Sequence, residues 1–217
     1  MVYNETDLTI YLIRHAEATN NIHPEFISGR TYTAELTKRG IEQSIFLGER
    51  LLKDNIFFNT VYSSPIKRAL DTANIVSTIL SIKTNAIIKV DSLEELDFGD
   101  WEGRPASTIY TKEILKSIKD HGDFFTPPNG ESKAMVERRV SEWFDTTILK
   151  NKKYLNSKTK IAIFTHSFVI NVLLHHILKF DDRAISRIET SPSSVSILHY
   201  KDDSFSVVSV NDICHLA

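Results

Sequence analysis

The sequence predicts an α/β fold, a three-layer α/β/α sandwich with a mostly parallel central sheet. Short apolar segments of strand length alternate with amphipathic segments at helical spacing, which is typical of βαβ units. Two of the apolar segments, LTIYLI and KIAIF, are apolar nearly throughout, as expected of central strands covered on both faces. The 217 residues are 41% hydrophobic and 25% charged, so we expect residues 1–217 to form a single domain.

The first half of the chain contains three predicted strands and two predicted helices. The strands are residues 8–13, 60–62 and 86–90, and the helices are residues 37–53 and 63–80. The apolar face of the first helix is expected to comprise Ile41, Ile45, Leu47, Gly48, Leu51 and Leu52. In the second helix, Ser63 or Ser64 is the expected cap and Pro65 belongs to the first turn.

The second half repeats the alternation and then changes to antiparallel pairing. The predicted helices are residues 106–119, 131–149 and 168–179, with the apolar stripe Met135–Ile148 expected in the core. KIAIFTHS is a strand, and SSVSILHYKDDSFSVVSVND is predicted as a hairpin with an Asp-Asp-Ser turn. The least regular part, residues 93–131, is predicted to form a lid over the sheet.

Composition excludes several classes of partner. The formal net charge of −2 gives no general attraction to nucleic acid or to an anionic membrane.

Cys214 is the single cysteine, so no intrachain disulfide can form, and we expect its thiol to be buried. No segment has the length and apolarity of a membrane span or signal peptide, so a cytoplasmic protein is expected. The sequence makes no prediction of the oligomeric state.

Basic side chains follow the two most apolar strands at the point where each strand ends. Arg14 and His15 come directly after LTIYLI, and His166 comes after KIAIFT. Arg68 lies one turn into the helix that follows a third strand. Because open α/β sheets bind ligands at the carboxyl ends of their strands, we expect these side chains to meet at one edge. Guanidinium groups and imidazoles there favour a phosphate site.

Seven stretches in register carry a resemblance to a known family. LIRHAEATNN resembles the RHG signature of the histidine phosphatase superfamily, also called the phosphoglycerate mutase-like family. Six further stretches are similar to its other motifs, namely ELTKRGIEQS, SSPIKRALDTA, LEELDFGDWEGRP, PPNGES, IFTHSFVI and VNDICHL. The resemblance covers nearly the whole chain and implies a phosphoglycerate mutase-like fold. In pattern it is nearest to the small broad-specificity and α-ribazole-phosphatase-like phosphatases.

The resemblance also implies roles for individual residues. His15 would be the nucleophile that becomes a phosphohistidine, and Arg14, Arg68 and His166 would hold the phosphate oxygens. Glu95 would protonate the departing alcohol and then activate the hydrolytic water. Further contacts to phosphate or substrate are expected from Asn21, Gly29 and Ser167. No metal and no cofactor are expected, because two arginines and a histidine supply the positive charge.

The general acid is the least determined of these roles. Spacing alone allows four neighbouring carboxylates, Glu94, Glu95, Asp97 and Glu102, and only the family register favours Glu95. Phe98 and Trp101 are the bulky neighbours expected to raise the pKa of the acid by excluding water. Asn21 also fits a turn or capping residue.

The sequence departs from the family pattern at three positions. Ala16 follows the nucleophile where a glycine is usual, Asn20 replaces a frequent tryptophan, and Ser167 replaces the glycine after His166. An added side chain takes space wherever the backbone must approach the ligand closely. We expect these changes to alter substrate choice rather than abolish the chemistry.

A phosphomonoesterase acting on a small phosphorylated substrate is the preferred function. The first alternative is a cofactor-dependent phosphoglycerate mutase, which must also bind a second phosphate, whereas RPASTIYTKEILKSIKDHG offers only Arg104 and scattered lysines. The second alternative is a regulatory module that binds phosphate without turnover. Specificity is expected to lie in residues 29–35, in the segment after Glu95 and in residues 124–131.

Three other histidines are predicted to be structural. His175 and His176 are adjacent on a helix and lack the i, i+4 spacing of a metal-binding pair. His215, near the end of the chain, is predicted to pack or to donate a hydrogen bond outside the pocket.

Overall fold

The computed structural model describes residues 6–180 and 188–217, which form a six-stranded sheet with helices on both faces. The strands are β1 (Asp7–Arg14), β2 (Thr60–Ser63), β3 (Ile88–Lys89), β4 (Lys158–Thr165), β5 (Val195–Lys201) and β6 (Ser204–Asp212). The helices are α1 (Lys38–Lys53), α2 (Lys67–Ile79), α3 (Ala106–Ile109), α4 (Lys112–His121), α5 (Lys133–Phe144) and α6 (Ser167–Leu178).

The strand order is β3-β2-β4-β1-β5-β6. Strands β1 to β4 pair in parallel, whereas β5 is antiparallel to β1 and β6 is antiparallel to β5. The predicted mostly parallel sheet is therefore confirmed. The register places Arg14 beside Thr165 at the carboxyl ends of β1 and β4, so the residues after these two strands share one edge of the sheet.

The central strand β1 is buried on both faces by different helical layers. Leu8, Ile10 and Leu12 belong to the core cluster built with α5 and α6, and each is 0% exposed. Tyr11 and Ile13 point to the opposite cluster, which α1 and α2 complete. This alternation follows from the two-residue period of a strand and confirms the three-layer architecture.

The hairpin of β5 and β6 is confirmed, with a shorter turn than predicted. Asp202 and Asp203 connect the strands, and both have a positive φ, of 51° and 58°. Two successive left-handed residues match the type I′ turn, whose twist agrees with that of paired strands.

The start of α2 differs from the sequence prediction. Ile66 is the cap residue and the helix begins at Lys67, so Pro65 precedes the helix instead of lying in its first turn. Ser63 is the last residue of β2, and the hydroxyl of Ser64 contacts His166 at 2.9 Å. The serine hydroxyl is thus used at the edge of the sheet and not as a helix cap.

Three other element boundaries were predicted incorrectly. The predicted strand 86–90 shortens to two residues, Ile88–Lys89, after a 3-10 turn at Thr84–Ala86. The predicted helix 106–119 divides into α3 and α4, because the Thr111 side chain accepts a hydrogen bond from the Ile114 N–H and starts a new helix. The predicted helix 131–149 begins after its cap Ser132 and ends in a π-helical turn at Asp145–Leu149.

Several burial predictions were wrong as well. Met135 is 41% exposed, although Val136, Val140, Phe144 and Ile148 of the same stripe are buried. Ile41 and Leu52 of α1 are each 44% exposed, because the helix turns Gln43, Ser44 and Leu47 towards the sheet. Cys214 is exposed instead of buried. These residues lie at the margins of otherwise correctly predicted apolar faces.

The segment predicted as a lid shares a small apolar cluster with Ile27. Ile27, Trp101 and Ile109 are buried together, and Phe98 and Phe125 pack against them. Among the described residues, no helix is long and apolar enough to span a membrane.

Candidate active site

The ends of β1 and β4 bring two histidine rings together. The His15 N–H donates a hydrogen bond to the Thr165 carbonyl at 2.9 Å, which continues the parallel ladder one residue beyond β1. His166 follows Thr165 directly, and its ring centroid lies 5.2 Å from that of His15. The two imidazoles are buried, with exposed fractions of 3% for His15 and 0% for His166.

The hydrogen bonds of His15 define which ring nitrogen carries the proton. Nδ1 lies 2.7 Å from the carbonyl oxygen of Ala16, which can only accept, so Nδ1 is the donor. Nε2 receives a hydrogen bond from the Nε of Arg68 at 3.2 Å, so Nε2 is unprotonated. His15 is therefore neutral, with the lone pair of Nε2 directed at the guanidinium group of Arg68.

Arg68 is held in place by backbone carbonyls of a neighbouring loop. It is 1% exposed, and its Nη2 and Nη1 donate to the carbonyl oxygens of Gly29 at 2.7 Å and Thr31 at 3.1 Å. Gly29 is required there because a Cβ would lie 2.0 Å from the Leu96 carbonyl oxygen. In this structure Gly29 thus orients Arg68 through its backbone.

Burial and nearby positive charge keep both imidazoles neutral. The pKa of His15 is well below its ordinary value, first because of burial and then because of Arg68 and Arg14. The pKa of His166 is lowered by the same causes, with burial again the largest. Burial also lowers the pKa of Arg68, to about 10, which leaves the guanidinium charged at neutral pH.

Two polar atoms at this edge are buried with no hydrogen-bond partner in the described structure: Nε of Arg14 and Nδ1 of His166. Nε2 of His166 contacts the Ser64 hydroxyl, whose oxygen also accepts the Ile66 N–H at 3.3 Å. A Ser64 hydroxyl that donates to Nε2 leaves the imidazole proton on Nδ1. Unpaired buried donors carry a free-energy cost, which an anion with acceptor oxygens would relieve.

Thr190 was not predicted from the sequence and yet holds two of the predicted site residues. Its carbonyl accepts a hydrogen bond from Nη1 of Arg14 at 2.6 Å, and its hydroxyl contacts that of Ser167 at 2.6 Å. The turn-rich run TSPSS that contains Thr190 has no periodicity that would have singled it out.

The carboxylate of Glu95 faces the amino end of α6. One oxygen accepts the Leu96 N–H at 3.0 Å and the other accepts the Phe168 N–H at 3.4 Å. Burial raises the pKa of the Glu95 carboxyl above its ordinary value, although these two donors and the charges of Arg68 and Arg14 act in the opposite direction. A raised pKa favours the neutral acid, the form that can donate a proton.

The other carboxylates of the acid loop have structural partners. Glu94 accepts the Tyr32 hydroxyl at 3.0 Å and pairs with Arg30 at 3.2 Å. Asp97 accepts the Gly99 N–H at 2.7 Å. Glu102 accepts the backbone N–H groups of Arg30 at 2.6 Å and Thr31 at 2.7 Å. Of the four carboxylates that the sequence left open, Glu95 is the one that lines the main cavity.

That cavity has a volume of about 610 Å³ and opens beside the strand ends. Arg14, Glu95 and Ser167 line it, together with the rings of Phe98 and Phe168. His15, Arg68 and His166 are not among the residues that line this cavity, and they are almost completely buried. Because Arg68 occupies the Nε2 lone pair of His15, attack by that nitrogen requires this hydrogen bond to break.

The structure gives the contacts of three further residues that the sequence places near the nucleophile and the acid. The side-chain oxygen of Asn21 accepts the Ala18 N–H at 2.9 Å, which is a turn-capping contact. Asn20 donates to the Ser28 hydroxyl at 2.9 Å. Trp101, expected beside the acid, packs instead in the apolar cluster with Ile27, whereas Phe98 does line the cavity.

The three histidines predicted to be structural have structural contacts. Nδ1 of His175 lies 3.0 Å from Glu137, and Nε2 of His176 lies 2.8 Å from Asp145. Nε2 of His215 contacts the Ser193 hydroxyl at 3.1 Å. Within the part of the chain that the structure describes, no three His, Cys, Asp or Glu side chains are grouped as metal ligands would be.

Two buried histidines and two arginines at the carboxyl edge of a mostly parallel sheet define a phosphoglycerate mutase-like α/β protein. The model of the histidine phosphatase superfamily (branch 1) matches residues 10–213, and the chain belongs to this superfamily. The predicted resemblance is therefore confirmed.

Individual relatives agree with this assignment. The chain is 28% identical over 222 residues to the metal-independent phosphoserine phosphatase of Arabidopsis thaliana, with 98% of this chain and 85% of that protein covered. It is 25% identical over 224 residues to a 2,3-bisphosphoglycerate-dependent phosphoglycerate mutase of Buchnera aphidicola, with 89% and 94% covered. The fold matches the α-ribazole phosphatase of Shigella flexneri with a TM-score of 0.81, at 23% identity and with 94% and 96% covered.

The protein is a phosphoric monoester hydrolase of the histidine phosphatase type, a class that acts through a phosphohistidine. The predicted enzyme class is thus confirmed. The roles of single residues and the identity of the substrate go beyond these comparisons.

Proposed function

We propose that this protein hydrolyses the phosphate monoester of a small alcohol without a metal ion, with His15 as nucleophile and Glu95 as general acid and base. The observation that carries the proposal is the neutral, Nδ1-protonated state of His15. Its Nε2 accepts a hydrogen bond from Arg68, its ring lies 5.2 Å from that of His166, and the charge of Arg14 acts on the same ring. A neutral imidazole nitrogen is a nucleophile near neutral pH, whereas a protonated one is not.

In the first step, Nε2 of His15 attacks phosphorus and the bond from phosphorus to the alcohol oxygen breaks. Glu95 gives its proton to that oxygen, so the alcohol leaves neutral and Glu95 becomes a carboxylate. The phosphohistidine ring gains positive charge, which the Nδ1–H bond to Ala16 stabilises. Arg14 and Arg68 neutralise the equatorial oxygens as charge redistributes, and the neutral His166 donates a hydrogen bond to them from Nδ1.

In the second step, water replaces the departed alcohol. The Glu95 carboxylate takes a proton from this water while the water oxygen attacks phosphorus, and the bond from phosphorus to Nε2 breaks. Inorganic phosphate leaves, and His15 and Glu95 return to their initial protonation states. Every proton that is transferred is therefore accounted for without a metal ion or any further group.

The remaining predicted contacts have supporting roles in this proposal. Ser167, at the start of α6, lines the cavity and can bind a substrate oxygen. Gly29 acts through Arg68, and Asn21 shapes the turn after the nucleophile.

Residues 93–131 serve as a cap, since Leu96 and Phe98 of this segment line the cavity. A cavity of about 610 Å³ suits a small phosphorylated metabolite, and the cytoplasm is the proposed location.

The test is to trap the covalent intermediate. The enzyme is mixed with ³²P-labelled phosphate monoesters, quenched in base to preserve phosphohistidine, and the label is located by peptide mapping. Label on His15 that disappears in His15→Ala, together with release of inorganic phosphate, is the expected result. His215→Ala, a histidine outside the cavity, is the matched control and should retain the label.

Two outcomes would replace the proposal. If the label formed but turnover required a bisphosphorylated primer and released no inorganic phosphate, the enzyme would be a mutase. If phosphate bound with no label and no turnover across a panel of phosphorylated metabolites, the protein would be a binding module.

A further inference from the structure

Arg139 of α5 reaches the backbone of the loop that carries Glu95. Its Nη2 donates to the carbonyl oxygen of Glu95 at 3.1 Å, and its Nη1 donates to the carbonyl oxygen of Ser92 at 2.9 Å. The same guanidinium group makes two hydrogen bonds to the carboxylate of Glu131, at 3.0 and 2.9 Å. One side chain therefore joins α5, the acid loop and the loop before α5.

The hydrogen bond from Arg139 to the Glu95 carbonyl also orients the Leu96 N–H. The carbonyl of Glu95 and the N–H of Leu96 belong to one peptide unit, which is planar and trans, so the two groups point in opposite directions. The Leu96 N–H donates to a carboxylate oxygen of Glu95 itself at 3.0 Å. When Arg139 fixes the carbonyl end of this peptide, it directs the N–H end at the carboxylate.

Arg139 acts on Glu95 without reaching the substrate. Its side chain is 17% exposed and is not part of the cavity lining, whereas Glu95 is. Arg30 supports the same arrangement from the other side, because its Nε lies 3.4 Å from the Glu95 carbonyl and its Nη2 lies 3.1 Å from Glu131. The pair of arginines neutralises the partly exposed carboxylate of Glu131.

We propose that Arg139 is a positioning residue that sets the orientation of the general acid Glu95 through the Glu95–Leu96 peptide. This inference rests on the role proposed above for Glu95. General acid catalysis needs the proton within hydrogen-bond distance of the leaving oxygen, and small misplacements lower the rate steeply. Arg139 thus governs how well the enzyme expels alcohols that cannot leave without a proton.

The test compares two leaving groups in Arg139→Gln and in Arg138→Gln, the exposed neighbour on the same helix. The measured quantity is kcat/KM, because it covers only the steps up to departure of the alcohol. With β-glycerophosphate, Arg139→Gln should lower kcat/KM by about 10- to 100-fold. With p-nitrophenyl phosphate the loss should be much smaller, since nitrophenolate leaves without protonation. Arg138→Gln should leave both values unchanged.

A double-mutant cycle separates positioning from a general structural role. Once Glu95→Gln has removed the acid, adding Arg139→Gln should cause little further loss with β-glycerophosphate. A full second loss, or equal losses with both esters in Arg139→Gln, would overturn the proposal. If Arg139→Gln does not fold, Arg139→Lys is used for the same cycle. Lysine keeps the charge but cannot bond Ser92, Glu95 and Glu131 together.

The pH profile gives an independent measure. The Leu96 N–H stabilises the charged form of Glu95, so a loosened peptide should raise the pKa of this acid. The basic limb of the kcat/KM profile with β-glycerophosphate should then move to higher pH in Arg139→Gln. An unmoved limb would contradict the proposal. The label on His15 reports separately on the proposed function: its absence in the wild type would refute that function, whatever Arg139 does.

Discussion

Nε of Arg68 donates a hydrogen bond to Nε2 of His15 at 3.2 Å, although the two residues are 53 positions apart in the chain. A cation that donates to an imidazole lone pair opposes protonation of that imidazole. It also places the proposed phosphate-binding group of Arg68 beside the atom that would attack phosphorus. The contact therefore links the charge state of the nucleophile to the binding of the anion.

Replacing Arg68 should affect both the binding of the anion and the charge state of His15. In Arg68→Lys a single ammonium group cannot bond His15, Gly29 and Thr31 together, so kcat/KM should fall by about a hundredfold or more. Arg104→Lys, at an exposed position, is the control and should retain activity.

In Arg68→Gln the pKa of His15, followed by NMR titration, should rise towards its ordinary value. The reason is that this variant removes the positive charge of Arg68, which lowers the His15 pKa. A His15 pKa that stayed the same would show that burial and Arg14 keep the ring neutral without Arg68.

The buried neutral histidines should make the protein sensitive to mild acid. The pKa values of His15 and His166 are lowered on folding, so below the ordinary value of 6.5 the unfolded chain binds protons that the folded chain does not. The free energy of unfolding should thus be highest above that pH and fall as the pH decreases. Between about pH 6.5 and 5 the free energy of unfolding should therefore decrease, with a slope of at most about 1.4 kcal/mol per pH unit for each histidine.

Urea unfolding at about pH 6.5 and at about pH 5 measures this decrease in the free energy of unfolding. The double variant His15→Asn, His166→Gln lacks both titrating rings, and its stability should depend less on pH across the window. His215, whose pKa burial lowers to about 4, adds to the remaining slope in both proteins. Equal slopes in the two proteins would show that these histidines titrate normally in the folded chain.

Gly29 should tolerate no side chain. In Gly29→Ala the new Cβ would lie 2.0 Å from the Leu96 carbonyl oxygen and 2.7 Å from a Glu102 carboxylate oxygen. Overpacking of this kind costs about 1–3 kcal/mol, and the displaced loops carry both the acceptor of Arg68 and the acid Glu95. Stability, read from the urea midpoint, and kcat/KM should therefore fall together.

Gly103 provides the control for that substitution. It has a φ of +76°, and a Cβ there would have no atom within 4 Å. Asparagine accepts left-handed backbone better than most residues, so Gly103→Asn should cost at most about 1 kcal/mol, from backbone strain alone, and should leave kcat/KM unchanged. If Gly29→Ala behaved like Gly103→Asn, the close approach of the two loops would not constrain the site.

The parts of the site that follow from strand ends were predictable. His15 and His166 lie together because each comes directly after a parallel strand, and the sequence contains both strands as plain apolar runs. Arg68 was predictable for a similar reason, since it lies one turn into the helix after β2. Such positions are set by local order along the chain and by the geometry of a parallel sheet.

The partners of these residues were not predictable in the same way. Ser64 was predicted as a helix cap but contacts His166, and Thr190 holds Arg14 from a stretch without periodicity. The choice of Glu95 among four carboxylates depends on long-range hydrogen bonds that turn Glu94 towards Tyr32 and Arg30. Periodicity reports which face of an element is apolar, but contacts between distant loops decide where each polar side chain in a turn points.

The position of β1 between β4 and β5 has a consequence for biosynthesis. β1 is synthesised well before both of its pairing partners, β4 and β5, so it remains an unpaired, strongly apolar segment until at least β4 has been translated. Loop closure over such separations slows folding and exposes nascent chains to aggregation. His15, the proposed nucleophile, is therefore synthesised well before His166, and the site can assemble only after β4 has been made.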